Sequence, residues 1–187
     1  MNPRFSKWTE DNVAICRYLH ENAREVFLEL VLRIAEQGIY IRLTSGHRTA
    51  EEQKKEYDEG DSWVLCPDSY HCHGLAVDIV PMERVSDLLY RAIWGKDAWE
   101  RGVYEKMAKV AYKLGIAWGY QEWGVDRGHF HYRDNKTIYQ IAEGNFPKKP
   151  EIAQIPYHRE TRRVIDRLQN RDIITPVLFP YLYVKSR

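Results

Sequence analysis

Ser69-Tyr70-His71-Cys72-His73-Gly74-Leu75-Ala76-Val77-Asp78 is the stretch that decides how this chain folds. It sets two histidines and one carboxylate close together, and an apolar run from Leu75 to Val80 begins inside it. That run reads as a buried strand. Only Asp78 interrupts it, and a charged group in such a run is costly unless something pairs with it. The neighbouring histidines point to a metal ion as the partner.

A strand alternates its side chains between two faces. His71 and Asp78 are seven positions apart, so one straight strand would put them on opposite faces. Gly74 supplies a turn that returns His71 to the face of Asp78. The best third ligand is His129, in Asp126-Arg127-Gly128-His129-Phe130-His131. Two histidines and one carboxylate leave a fourth position open, as in catalytic rather than structural zinc. Any one of these histidines alone reads more readily as a polar loop residue; the spacing of all three carries the argument. His73 and His131 share strand parity with ligands and are expected beside the site. Cys66 and Cys72 fit no common zinc spacing.

Hydrolysis at such a centre needs a base close to the metal. Asp126, three residues before His129, is the first candidate and Glu122 the second. Arg48 follows Gly46-His47 at the end of a strand-like run. There it could stabilise an oxyanion or clamp a substrate carboxylate.

Working outward, the chain has 187 residues, 44% hydrophobic and 29% charged, which suits one domain with an appendage. The net charge of +1 argues for neither nucleic acid nor an anionic membrane. The 6 tryptophans and 13 tyrosines suit a sugar or peptide site as well as a core. With 3 cysteines and no Cys-x-x-Cys, no disulfide framework is expected, which suits a reducing compartment. The N-terminus lacks the apolar core of a signal peptide, and no apolar run reaches the length of a membrane span.

Helical spacing predicts one broken or two helices over residues 6–37, with Thr9 and Asn12 near an N-terminal cap. Ile39–Leu43 reads as a strand, and the Thr49/Glu52 capping box predicts a helix to about Asp58. Residues 59–70 read as a long loop on the site's rim. Helices are expected near Val85–Ile93 and over Asp97–Leu114, and strands over Ile116–Tyr120 and His129–Arg133. Strands and helices segregate, which favours α+β. Domain 1–144 would carry the site; 145–187 would be an extension with a Pro-rich linker, a basic helix and an apolar tail.

Ser69-x-His71-x-x-Gly74-x-Ala76-x-Asp78 resembles the zinc motif of the D-alanyl-D-alanine carboxypeptidase and L-alanyl-D-glutamate endopeptidase family of metallopeptidases. Ser45-Gly46-His47-Arg48-Thr49 with Gln53 resembles a second block, and Gly115-x-x-Trp118-Gly119 with Asp126-x-x-His129-Phe130 a third. The resemblance spans residues 39–133, in order. It implies an α+β fold of the DD-carboxypeptidase/Hedgehog-like kind, a small antiparallel sheet flanked by helices. It also implies Zn2+ on His71, Asp78 and His129, with Asp126 as general base and acid. Arg48 would stabilise the oxyanion, and Ser69 and Gln53 would lie on the substrate side. The implied substrate is a peptidoglycan stem peptide, cut by a monomeric phage endolysin that is made without a signal peptide and acts on the wall after release. The alternatives are a D-alanyl-D-alanine carboxypeptidase or dipeptidase, and a non-catalytic wall or virion component with a structural metal. Asp as base leans toward the L-alanyl-D-glutamate endopeptidases, whereas Gly128 and His131 replace the proline and acidic residue often found in the phage enzymes.

Overall fold

A computed structural model of the protein describes residues 11–84, 90–93 and 95–148. In chain order its elements are α1 (Glu21–Glu36), β1 (Tyr40–Ser45), α2 (Ala50–Asp58), a 3-10 turn (Tyr70–His73), β2 (Ala76–Arg84), β3 (Tyr90–Ala92), α3 (Gly95–Glu100), α4 (Val103–Lys113), β4 (Ile116–Trp118), α5 (Gly119–Trp123), β5 (His129–Tyr132) and α6 (Ile138–Ala142). Residues 11–16 are also helical, and a turn separates them from α1. The strands form one antiparallel sheet in the order β1-β2-β5-β4, with β3 paired to the far end of β2. The fold is α+β, as the segregation of elements predicts.

Strand parity divides the sheet's two faces. Val77 and Ile79 share a face with their cross-strand partners Phe130 and Leu43, and Trp118 continues it opposite Phe130. These side chains join Phe27, Leu30 and Ile34 of α1 and Met107 and Ala111 of α4 in the buried core. The opposite face presents Asp78 beside His129, and Ala76 beside His131. One face thus contributes the core and the other carries the chemistry.

The open edge of β1 is closed by a side chain. Asn12 accepts from the Leu43 N–H at 2.7 Å and donates to the Ile41 carbonyl at 3.1 Å, mimicking a neighbouring strand. The sequence placed Asn12 near a helix cap; the structure puts it inside the helical residues 11–16, facing the sheet. Thr9 lies outside the described residues.

The capping box at Thr49 and Glu52 forms, and α2 ends at Asp58 as the pattern predicts. Four other expectations are corrected. The strand expected over Leu75–Val80 continues through Pro81 to Arg84. The ring is tolerated because the Pro81 carbonyl, and with it the missing donor, points away from β1, toward the Ile93 N–H at 2.8 Å. Tyr90–Ala92, expected as helix, pairs with Met82–Arg84 as a strand, the long β2 offering it a free edge. The helix expected over Asp97–Leu114 is two helices, parted at Gly102 with φ 59°. The strand expected over Ile116–Tyr120 ends at Trp118, and Gly119–Trp123 is the short helix α5.

The extension's basic helix and apolar tail lie outside the described residues. Residues 145–148 are described, and they are anchored on the domain. Phe146 stacks on His20 with ring centres 4.4 Å apart, Pro147 accepts from the Asn22 side chain at 2.9 Å, and Lys148 accepts from the Tyr132 hydroxyl at 2.9 Å.

Candidate metal centre

His71 is placed by the 3-10 turn and the residue that ends it. Gly74 adopts φ 65°, and a Cβ there would stand 2.7 Å from the His20 nitrogen, so both conformation and space call for glycine. The turn is tied to the β1–α2 loop by the Arg48 N–H, which donates to the His71 carbonyl at 3.1 Å. The His71 Nδ1 lies 2.6 Å from the Gly46 carbonyl. A carbonyl only accepts, which assigns the proton to Nδ1 and leaves Nε2 with a free lone pair.

Asp78 and His129 face each other as direct cross-strand partners on β2 and β5. The His71 Nε2 lies 3.3 Å from Asp78 Oδ1 and 3.2 Å from His129 Nδ1, and Asp78 Oδ1 lies 3.5 Å from His129 Nδ1. A tetrahedral ion with bonds of about 2.0–2.1 Å needs donors about 3.3–3.4 Å apart, so this triangle fits zinc without rearrangement. Among the described residues, these three form the cluster of donors able to hold a metal.

The other carboxylate oxygen of Asp78 is occupied. Arg48 donates to Oδ2 at 2.6 Å through Nη2, while its Nε donates to the Ser45 hydroxyl at 3.0 Å. Burial pushes the Asp78 carboxyl up, but His71 and His129 outweigh it and hold the group well below the usual carboxylate range. Burial lowers His71, so its imidazole favours the neutral form that ligation requires.

Asp126 stands at the open side, half exposed, its Oδ2 4.0 Å from His129 Nδ1. Its backbone is in the left-handed region at φ 56°. Burial raises its carboxyl above the usual range, and the neighbouring Asp78 adds to that against the pull of His129. An elevated carboxyl suits a group that must both take and give a proton. Glu122, the second candidate, is engaged elsewhere: Arg133 pairs with it at 2.5 Å, and the His131 Nε2 lies 3.1 Å away.

Gln53 and Ser69 are both buried, and Gln53 works as a junction. Its amide nitrogen donates to the Ser62 hydroxyl at 2.7 Å and the Val64 carbonyl at 2.8 Å, and its oxygen accepts from Ser69 Oγ at 3.2 Å. The rim loop, the ligand turn and α2 therefore meet on one side chain. Cys66 and Cys72 are not free thiols, as the odd cysteine count led one to expect. They are joined in a disulfide, their Cα atoms 5.9 Å apart, because the loop and the 3-10 turn fold the six-residue separation back on itself. Cys16 is the remaining thiol, buried, with desolvation raising it to about 12.

Sequence reasoning missed the aromatic wall behind His129. Trp123 lies 5.1 Å from the His129 ring and stacks on His131 at 5.3 Å and 6°. Tyr70 covers the other face of His131 at 4.2 Å and 18°. Burial pushes the His131 imidazole down to about 4, consistent with a packed rather than a ligating ring. The signal for this wall was Gly119, where a Cβ would meet Trp123 at 2.8 Å and His129 at 3.1 Å.

Two imidazoles and one carboxylate with a further carboxyl nearby are a donor set that hydrolytic metal centres use. Residues 67–132 match the family model described as D-alanyl-D-alanine carboxypeptidase. No match is found among curated proteins. Among solved structures the chain is similar to the Serratia marcescens L-Ala D-Glu endopeptidase ChiX, with 22% identity, 66% of this chain and 87% of that chain covered, and a TM-score of 0.48. It is similar to the LD-carboxypeptidase LdcB, with 17% identity, 72% and 68% covered, and a TM-score of 0.48. It is also similar to VanYB in complex with D-Alanine-D-Alanine, with 20% identity, 69% and 79% covered, and a TM-score of 0.44. No helix among the described residues is long and apolar enough to cross a membrane.

Proposed function

We propose that this protein is an endolysin-type enzyme that cuts the L-alanyl-D-glutamate bond of peptidoglycan stem peptides. The observation that carries the reading is the donor triangle of His71, Asp78 and His129, with sides of 3.2–3.5 Å, open toward Asp126. His71, Asp78 and His129 would hold zinc, which would supply Lewis-acid chemistry for the scissile carbonyl and make water a better nucleophile. Asp126 would take the proton of the attacking water and pass it to the leaving amine, a task its elevated carboxyl suits. Arg48 fixes Asp78 and sets a positive charge at the edge of the cluster, where a developing oxyanion benefits from it. Ser69 positions substrate from the ligand turn, and Gln53 acts through Ser69 and the rim loop rather than by reaching substrate itself.

Asp as base, rather than Glu, favours the endopeptidase over a carboxypeptidase. Purified cell wall, digested and analysed by mass spectrometry, distinguishes them. A new free amine on D-Glu is the expected result, whereas release of terminal D-Ala alone would establish the D-alanyl-D-alanine carboxypeptidase. Chelation of zinc should abolish cleavage, and Asp126→Ala should abolish it with zinc retained. Undiminished cleavage by the chelated protein would refute the catalytic reading and leave a non-catalytic wall component. Residues 145–187 are proposed as an extension of the catalytic domain. Deleting residues 150–187 tests it: a soluble, active enzyme that no longer sediments with walls would make the extension a wall-binding element.

A further inference from the structure

The loop that carries Asp126 turns through the left-handed region, with Asp126 at φ 56°. Asp enters that region more readily than most non-glycine residues, and the contacts around it decide whether the loop stays there. The hydrogen bond closing the loop, from the His129 N–H to the Asp126 carbonyl, is long at 3.4 Å. The His129 backbone also bonds the Asp126 carboxyl, and the two residues between them add further ties.

Gly128 is fixed by the sheet, its carbonyl accepting from the Ile79 N–H at 2.8 Å. Arg127 is fixed from two sides. Its carbonyl accepts from the Trp118 indole N–H at 2.9 Å. Its guanidinium lies over the Trp99 ring, 4.1 Å from the centroid, and 5.3 Å from the centroid of Tyr120. These rings brace one another: Trp99 meets Tyr120 edge-on at 5.0 Å, and Tyr120 meets Trp118 at 5.2 Å. The aromatic cradle therefore joins α3, β4 and α5, three elements that contribute no metal ligand. A planar guanidinium over a ring gains both cation–π and stacking attraction, which an ammonium matches only in part.

We propose that Arg127 is a positioning residue: clamped in the cradle of Trp99 and Tyr120, it holds the Asp126 carboxylate at the metal centre. The inference rests on Asp126 acting as the base. It adds that three elements without a metal ligand set the geometry of proton transfer, and that Arg127 acts through the rings rather than by touching substrate.

A double-mutant cycle tests it. Arg127→Gln removes the cation and Trp99→Leu removes the ring under it; each should lower kcat about tenfold with KM nearly unchanged and zinc stoichiometry intact. The double variant should be no slower than either single one, because both break the same clamp. Arg127→Lys should recover part of the rate. Each of three results would overturn the proposal: a raised KM with unchanged kcat, which would place Arg127 on substrate; additive losses in the double variant, which would uncouple it from Trp99; or wild-type rates in both single variants. Asp126→Asn runs in parallel. If that variant stays active, the assignment of the base has failed; if it is inactive while Arg127→Gln is not, the clamp alone has failed.

Discussion

Gly119→Ala tests the packing that holds His129. The added methyl would lie 2.8 Å from Cζ3 and 3.1 Å from Cε3 of Trp123, and 3.1 Å from Cβ of His129. Carbon atoms at rest stand about 3.5–4.0 Å apart, so the overlap is roughly 0.7 Å on the tryptophan and 0.4 Å on the histidine backbone side. β5 cannot yield easily, because His129 is paired to Asp78 across the sheet. Trp123 is 46% exposed and can swing outward, but only by leaving its stack on His131 and its contact with His129. Overpacking costs about 1–3 kcal/mol and a lost aromatic pair about 0.5–1.5, so a destabilisation of about 2 kcal/mol is expected. For a chain of this size that lowers Tm by about 4–8 °C. Loosening a residue that backs a ligand should also weaken zinc binding about tenfold or more. Thermal unfolding with and without zinc, combined with zinc titration against a competing chelator, measures both. Gly124→Ala is the control: it carries φ 72° with nothing within 4 Å of a built Cβ, so it pays backbone strain of about 1 kcal/mol and leaves zinc alone. Wild-type zinc affinity in Gly119→Ala, or equal weakening in Gly124→Ala, would refute the reasoning.

Two further outcomes follow from the same geometry. Burial raises the Asp126 carboxyl, and the group must be ionised to accept a proton, so kcat/KM should fall with decreasing pH through a pKa above the ordinary carboxylate range. A pH–rate profile that stays flat down to about pH 4 would contradict this. Cys66→Ser should destabilise the protein by about 2 kcal/mol, the chain-entropy value for closing so short a loop. Urea unfolding should show the loss without reductant and no difference between variant and parent once reductant has opened the bond in both; an unchanged midpoint in the oxidised state would show that the bridge adds nothing.

What the sequence made legible was local chemistry on a period. The Thr49/Glu52 capping box, the turn at Gly74 and the parity of Asp78 are written in spacings of a few residues, and each is found in the structure. The meeting of His71, Asp78 and His129 was legible because a family motif supplied the long-range link that periodicity lacks. What stayed hidden depended on partners far away in the chain. Tyr90–Ala92 is a strand because β2 runs past its other neighbours and leaves an edge to fill. Cys66 and Cys72 pair because an irregular loop doubles back, which no count of cysteines reveals. Gln53 reads as a polar helix residue free to meet substrate, yet α2 turns it inward, where four other groups converge on it: Ser62, Val64, Ser69 and Arg48.

The divided carboxylate of Asp78 bears on which ions the protein can accept. Because Arg48 occupies one oxygen, the side chain cannot rotate to offer both to a single ion. Calcium seeks six to eight oxygen donors and magnesium an octahedron of them, and at this centre each would find one oxygen and two imidazole nitrogens. The arginine thus keeps the carboxylate to a single donor, and with two imidazoles beside it the centre offers a set that suits zinc better than hard cations.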